Sequence, residues 1–166
     1  VLRAALSSTA VITTMVMLIV VGGTMFTSIF QVAGGRALIA DTLAYLSLTE
    51  TQTVFVLLAV VALLGFVLDW VSIVLICVPI YVPLLQAAGI DPLWFGAMAI
   101  VVIQTSYLTP PMAPSIFYLK SIAPPEITYW DMCRGVAPFV ACQLLVLLVI
   151  YFIPASVTWL PSQMGF

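Results

Sequence analysis

The chain has almost no charge. Of its 166 residues 6% are charged and 64% hydrophobic, where a soluble domain carries about 25% charged residues. Four basic and six acidic side chains cannot cover the surface of a water-soluble protein, so the composition dictates an integral membrane protein. Histidine is absent. That removes the commonest proton-transfer side chain and the commonest metal ligand, and with them histidine ligation of haem or chlorophyll-type pigments. The three cysteines, Cys77, Cys133 and Cys142, make no C-x-x-C pair. Cys77 and Cys142 lie in apolar runs, where cysteine behaves as a small hydrophobe, and neither a disulfide framework nor a zinc site is indicated. A net charge of −2 without a basic cluster speaks against nucleic acid as a partner. The chain has no Ser-His-Asp set, phosphate-binding loop, H-E-x-x-H or paired intramembrane aspartates, so no catalytic residue is assigned and no enzyme is expected. It starts at Val1 with no charged n-region and cleavage site. No signal peptide is therefore expected, and the start reads as the interior of a longer protein or as a processed or unseen N-terminus.

What is present is a series of long apolar runs. A spanning helix needs about 20 such residues. No charge stands between Arg3 and Arg36, and residues 11–30 are long enough to cross once. Gly22, Gly23 and Thr24 lie inside this run, and Gly34-Gly35 closes it. Two readings stay open: one span followed by a surface helix over 37–48, or a re-entrant hairpin covering 8–48. A glycine pair does not decide between them, because small residues also serve close helix packing. Residues 51–90 carry a single charge, Asp69. One helix of that length would run about 60 Å, twice the hydrocarbon thickness, so the block must break. Gly65, Asp69-Trp70, Pro79 and Pro83 are the candidate breaks. Residues 93–119 form a third block, 120–134 reads as an interfacial loop, and 135–153 is the last helix, ended by Pro154 with an interfacial exit at 159–161. The four basic residues are too scattered to set the orientation by the positive-inside rule. The expected fold is all-α and polytopic: one transmembrane domain, 1–166, with about four membrane-crossing blocks, a re-entrant hairpin and a proline-interrupted helix, in contact with the lipid bilayer.

The chemistry concentrates in Gln104-Thr-Ser-Tyr-Leu-Thr-Pro-Pro-Met-Ala-Pro-Ser115. Proline removes a backbone donor and clashes with the preceding turn, so Pro110-Pro111 should break the helix. Broken backbone at membrane depth is tolerated only against protein or a watery cavity; it is either a packed kink or, as in secondary transporters, a source of ligands for ions and substrate. Gln104, Thr105, Ser106 and Thr109 add neutral oxygens. Without a carboxylate among them the set suits sodium rather than calcium or magnesium, with Ser106 and Thr109 as the metal-ligand candidates. Gly22 to Ser28 offers a second polar tip that could face the first at the midplane. Asp69 is either a charge for ion coupling or the cap of the helix that follows it.

The stretches Leu64-Gly-Phe-Val-Leu-Asp-Trp70, Val78-Pro-Ile-Tyr-Val-Pro83, Ala88-Gly-Ile-Asp-Pro-Leu-Trp-Phe-Gly96, Gln104-Thr-Ser-Tyr-Leu-Thr-Pro-Pro111, Phe117-Tyr-Leu-Lys120, Ala123-Pro124 and Thr158-Trp-Leu-Pro161, in this order, resemble the C-terminal half of the large permease subunit of tripartite ATP-independent periplasmic (TRAP) transporters. In detail they are nearest the branch labelled for mannitol or chloroaromatic compounds, a substrate label that is not carried over. The resemblance implies one repeat of an inverted-repeat, elevator-type, sodium-coupled importer of organic-acid-like solutes in the bacterial inner membrane. It also implies a small membrane subunit and a periplasmic solute-binding protein as partners. It places the second repeat's hairpin within 11–48, and sodium and substrate at Thr109-Pro110-Pro111.

Three positions depart from that pattern. Met112-Ala-Pro-Ser115 stands where a glycine usually follows the proline pair, and Ser72 and Arg36 stand where the pattern often has acidic residues. Losing a glycine limits close backbone approach. A second expectation is therefore carried: a truncated, permease-derived subunit without transport activity, packed against other membrane subunits of a larger complex.

Overall fold

The computed structural model describes residues 2–110, 113–124 and 126–164. They form helices only, eight of them: α1 Leu2–Val32, α2 Gly35–Tyr45, α3 Glu50–Gly65, α4 Trp70–Ala87, α5 Pro92–Leu108, α6 Pro114–Ile122, α7 Tyr129–Phe152 and α8 Ala155–Gln163. The local chemistry explains most of the boundaries. Gly34 takes φ +84° and ends α1, and Gly89 takes φ +72° and ends α4, a left-handed conformation that glycine adopts without a Cβ penalty. Thr49 and Gln52 make a reciprocal capping box at the start of α3. Asp69 accepts from the backbone of Val71 and Ser72 at the start of α4. Asp91 accepts from Leu93 N–H at 2.8 Å, with Pro92 at the first position of α5.

Three helices are long and apolar enough to cross a membrane: Ala5–Val32, Trp70–Ala87 and Tyr129–Phe152. Helices α3 and α5, with 16 and 17 residues, extend about 24–26 Å at ~1.5 Å per residue, short of a hydrocarbon core of about 30 Å. The core lies among α3, α4 and α5, where Val54, Val61, Ile73, Leu85 and Met98 are almost wholly buried. Helix α5 is central; it packs on α3 and α7 and also touches α4, α6 and α8, while α1 lies against α4. A smaller cluster of Ala113, Ile116 and Met132 joins α6 to α7.

Three features differ from the expectations. Pro79 and Pro83 do not break α4, which runs through both. Pro79 leaves the carbonyl of Leu75 without its helical donor, and the hydroxyl of Thr27 on α1 donates to that carbonyl at 3.0 Å. The last long helix begins at Tyr129, within the stretch read as loop, because Thr128 and Asp131 form a second capping box. Beyond Pro154 the chain forms α8 where a plain exit was expected.

Candidate functional site

The C-terminal half of α5 carries a single stripe. Ile100, Ile103, Gln104, Tyr107 and Leu108 follow the i, i+3, i+4, i+7, i+8 spacing that places side chains on one helix face. With Trp70 and Val74 of α4 and Ser115 of α6 they line a cleft of about 400 Å³. Its walls are mostly apolar. Gln104, Tyr107, the indole of Trp70 and Ser115 supply the polar atoms, and among the described residues no acidic or basic side chain lines it. The cleft therefore has no acid–base pair; it can select by shape, stacking and neutral hydrogen bonds.

Helix α5 stops beside this cleft. Thr105 Oγ1 donates to Val101 O at 2.8 Å and Thr109 Oγ1 donates to Thr105 O at 2.7 Å, back-bonds of a kind that bends helices. Thr109 itself is extended (φ −101°, ψ 135°), and its N–H reaches Ser106 O at 3.3 Å. The carbonyls of Ser106 and Tyr107 would accept from residues 110 and 111 in a continuous helix. Both are prolines and have no N–H. The break therefore leaves the Tyr107 carbonyl without a helical donor, and Thr109 Oγ1 adds an oxygen with free lone pairs. Pro111 and Met112 lie outside the described residues. Ala113 follows with φ 36°, ψ 59°, and α6 starts with Pro114 at its first position and no side-chain cap.

Of the residues singled out in the sequence, Gln104, Thr105, Ser106, Thr109 and Pro110 lie together at this break. Gln104 and Pro110 are exposed, Thr105 and Thr109 are partly covered and Ser106 is buried. Ser106 Oγ donates to Val102 O at 3.1 Å and to Ala62 O of α3 at 3.3 Å. Asp69 sits at the start of α4, beside Trp70 of the cleft. Its carboxylate accepts from Val71 N–H at 3.0 Å, Ser72 N–H at 3.3 Å and the Ser72 hydroxyl at 2.5 Å. That geometry is a helix cap. Ser72, one of the three departures, completes it.

Gly22, Gly23 and Thr24 are not part of a broken tip. Helix α1 is continuous through them, and of the two glycines only Gly23 serves close packing. A Cβ on Gly23 would lie 3.1 Å from Leu75 Cβ, whereas one on Gly22 would meet open space. Thr24 Oγ1 returns to Val21 O at 2.9 Å. This contact falls on Leu75 while the cleft uses Trp70 and Val74, so the two groups occupy different faces of α4 and do not meet.

Trp70, Tyr107 and Ser115 line the cleft and were not among the sequence candidates. The stripe spacing in α5 was a readable signal for Tyr107; Trp70 and Ser115 become neighbours of α5 only through the turns that fold α4 and α6 back on it.

Residues 1–156 match the family described as tripartite ATP-independent periplasmic transporter, DctM component. The 2,3-diketo-L-gulonate TRAP transporter large permease protein YiaN of Escherichia coli is 30% identical over 86% of this chain and 33% of its own length. The sialic acid TRAP transporter large permease protein SiaM of Vibrio cholerae is 30% identical over 98% of the chain and 36% of its own length. A C4-dicarboxylate TRAP transporter large permease protein DctM of Pseudomonas aeruginosa is 25% identical over 93% of the chain and 36% of its own length. The chain thus spans about a third of the length of these curated relatives. No solved structure matches it.

Proposed function

This chain belongs to the DctM-component family of tripartite ATP-independent periplasmic transporters, and on that premise we propose that it supplies the ion-binding break of a sodium-coupled permease. The protein is a multi-pass membrane protein, which the reading places in the bacterial inner membrane. The observation that carries it is the end of α5. An apolar helix stops short of the bilayer thickness beside a cleft, deprives the Tyr107 carbonyl of its helical donor and ends in the extended Thr109. Neutral oxygens of this kind suit sodium, which takes oxygen ligands and needs fewer carboxylates than a divalent ion. Thr109 and the carbonyls before Pro110 would hold the ion. The cleft with Gln104, Tyr107 and Trp70 would face the solute, an organic acid or related compound. The relatives are named for transport of 2,3-diketo-L-gulonate, sialic acid and C4-dicarboxylates, solutes of that general class. A small membrane subunit and a periplasmic solute-binding protein would complete the system.

The test is solute uptake into proteoliposomes carrying the intact permease with these partners. Thr109→Ala is expected to lower sodium-dependent uptake by about tenfold or more, the size of effect that follows loss of a well-placed ligand. Unchanged uptake with an unchanged sodium requirement would remove Thr109 from the ion site.

A further inference from the structure

We propose that Gly65 and Ser106 form an interhelical lock that positions the α5 break against the turn between α3 and α4, and that Ser106 is a positioning residue rather than a cation ligand. The inference rests on the transporter reading for its functional consequence, though not for the contact itself.

Both residues are buried, Ser106 to 3% exposure. A Cβ added to Gly65 would fall 2.6 Å from Ser106 Cβ and 2.9 Å from its Oγ, so the helices approach here as closely as glycine permits. Next to the contact, α3 ends. The N–H of Phe66 turns to Leu63 O at 3.2 Å, and the carbonyl of Ala62, which a continuous helix would have served from residue 66, is left to another donor. Ser106 Oγ is that donor. Its proton is directed at two carbonyls and the side chain is buried against α3, so the oxygen is engaged by protein rather than by an ion. Four residues beyond Gly65 stands Asp69, the cap of α4; three residues beyond Ser106 stands Thr109, whose N–H hangs on Ser106 O. One contact therefore fixes both broken ends, and with them the α4 and α5 walls of the cleft.

The lock predicts a swap. Gly65→Ala introduces a clash with Ser106, and Ser106→Gly removes both atoms involved; the next nearest atom is Ile73 Cδ1 at 3.8 Å, an ordinary contact. Gly65→Ala, Ser106→Ala, Ser106→Gly and the Gly65→Ala/Ser106→Gly double variant would be made in the intact permease. Each would be assayed by thermal unfolding in detergent and by uptake as a function of sodium concentration. Gly65→Ala is expected to lower the melting temperature by several degrees. It should also lower maximal uptake by about tenfold or more, since functional groups tolerate displacements of only ~0.5 Å, with the half-saturating sodium concentration unchanged. The double variant should recover most of both losses. Ser106→Ala should leave half-saturation by sodium close to that of the parent, well short of the ~10–100-fold loss that follows removal of a group acting on a metal's ligands. A Gly65→Ala defect that Ser106→Gly does not relieve would overturn the lock. A tenfold rise in the half-saturating sodium concentration in Ser106→Ala, with unchanged melting, would overturn the positioning role in favour of a ligand. If the unaltered protein shows no sodium-dependent uptake, the transporter reading fails, and the melting temperatures of the four variants still decide the contact.

Discussion

At Ala113 several effects of similar size oppose one another. The residue holds φ +36° and is fully buried against Ile116 and Met132. A left-handed backbone costs an L-residue roughly 1–2 kcal/mol, which glycine would recover. Glycine would also lose a buried methyl worth about 0.8 kcal/mol and add ~0.5–1 kcal/mol of unfolded-chain entropy. Ala113→Gly should therefore change stability by less than about 1 kcal/mol. Ala113→Val cannot share that balance: a β-branched residue resists positive φ, and two further methyl groups in a packed site cost about 1–3 kcal/mol. Thermal unfolding in detergent should show the valine variant clearly destabilised and the glycine variant close to the parent; equal melting of all three would mean that the turn is not held in this conformation. Glycine is the residue that usually meets such a backbone demand, and the chain meets it with the smallest side chain available. Asp69 teaches a related lesson. Its isolation in an apolar block suggested ion coupling as readily as capping, and only its distances to Val71 and Ser72 show where the carboxylate is engaged.

Between elements, hydrogen bonds follow a common logic. Among the described residues three side chains reach a carbonyl on another helix: Thr27 to Leu75, Trp94 to Ile150 at 2.8 Å and Ser106 to Ala62. Each acceptor has lost its own helical donor, to Pro79, to Pro154 and to the end of α3 respectively. In hydrocarbon an unserved carbonyl is costly, so these bonds mark where two helices must meet. Thr27→Val should destabilise the protein by about 0.6–2 kcal/mol. Pro79→Ala restores a backbone donor one turn from Leu75 and should remove most of that penalty in the double variant. Additive losses in thermal unfolding would show that Thr27 does not serve the Leu75 carbonyl. The same logic sets what the sequence could reveal. The all-helical membrane fold was legible because composition and run length decide it. Helix ends at Gly34, Gly89 and Pro110 have causes within a residue or two. The continuity of α4 through Pro79 was not legible, because its compensating donor lies 48 residues away. The start of α7 was obscured differently: Thr128 and Asp131 were counted as loop polarity although their spacing is that of a capping box. For the candidate site, the polar cluster around the break could be read directly, whereas the burial of Ser106 on Gly65 depends on how α3 and α5 cross.

For the molecule as a whole the decisive contrast is between its inner and outer helices. A third of the α4 membrane-length window is buried, against 0% for α1 and 6% for α7. Met15, Leu18, Phe139, Leu145 and Phe152 all stand open. In water such surface would drive aggregation; in a bilayer it meets acyl chains at no cost. The chain is about a third of its relatives' length, so the open face of α7 has two candidate environments, lipid or protein on one side and a water-filled transport path on the other. The cysteines separate them. Cys142 is exposed on α7, Cys133 is partly covered near the start of the same helix, and Cys77 is buried in α4. A polar maleimide needs water and a thiolate, neither of which is available in hydrocarbon. In intact membranes it should modify Cys133, which stands in the first turns of α7 beside the polar capping box of Thr128 and Asp131, and should spare Cys142 and Cys77. All three should react once the protein is unfolded in detergent. Labelling of Cys142 as fast as Cys133 in the intact membrane would place water along α7, and the transport path would then have to be drawn on that face rather than at the cleft between α4 and α5.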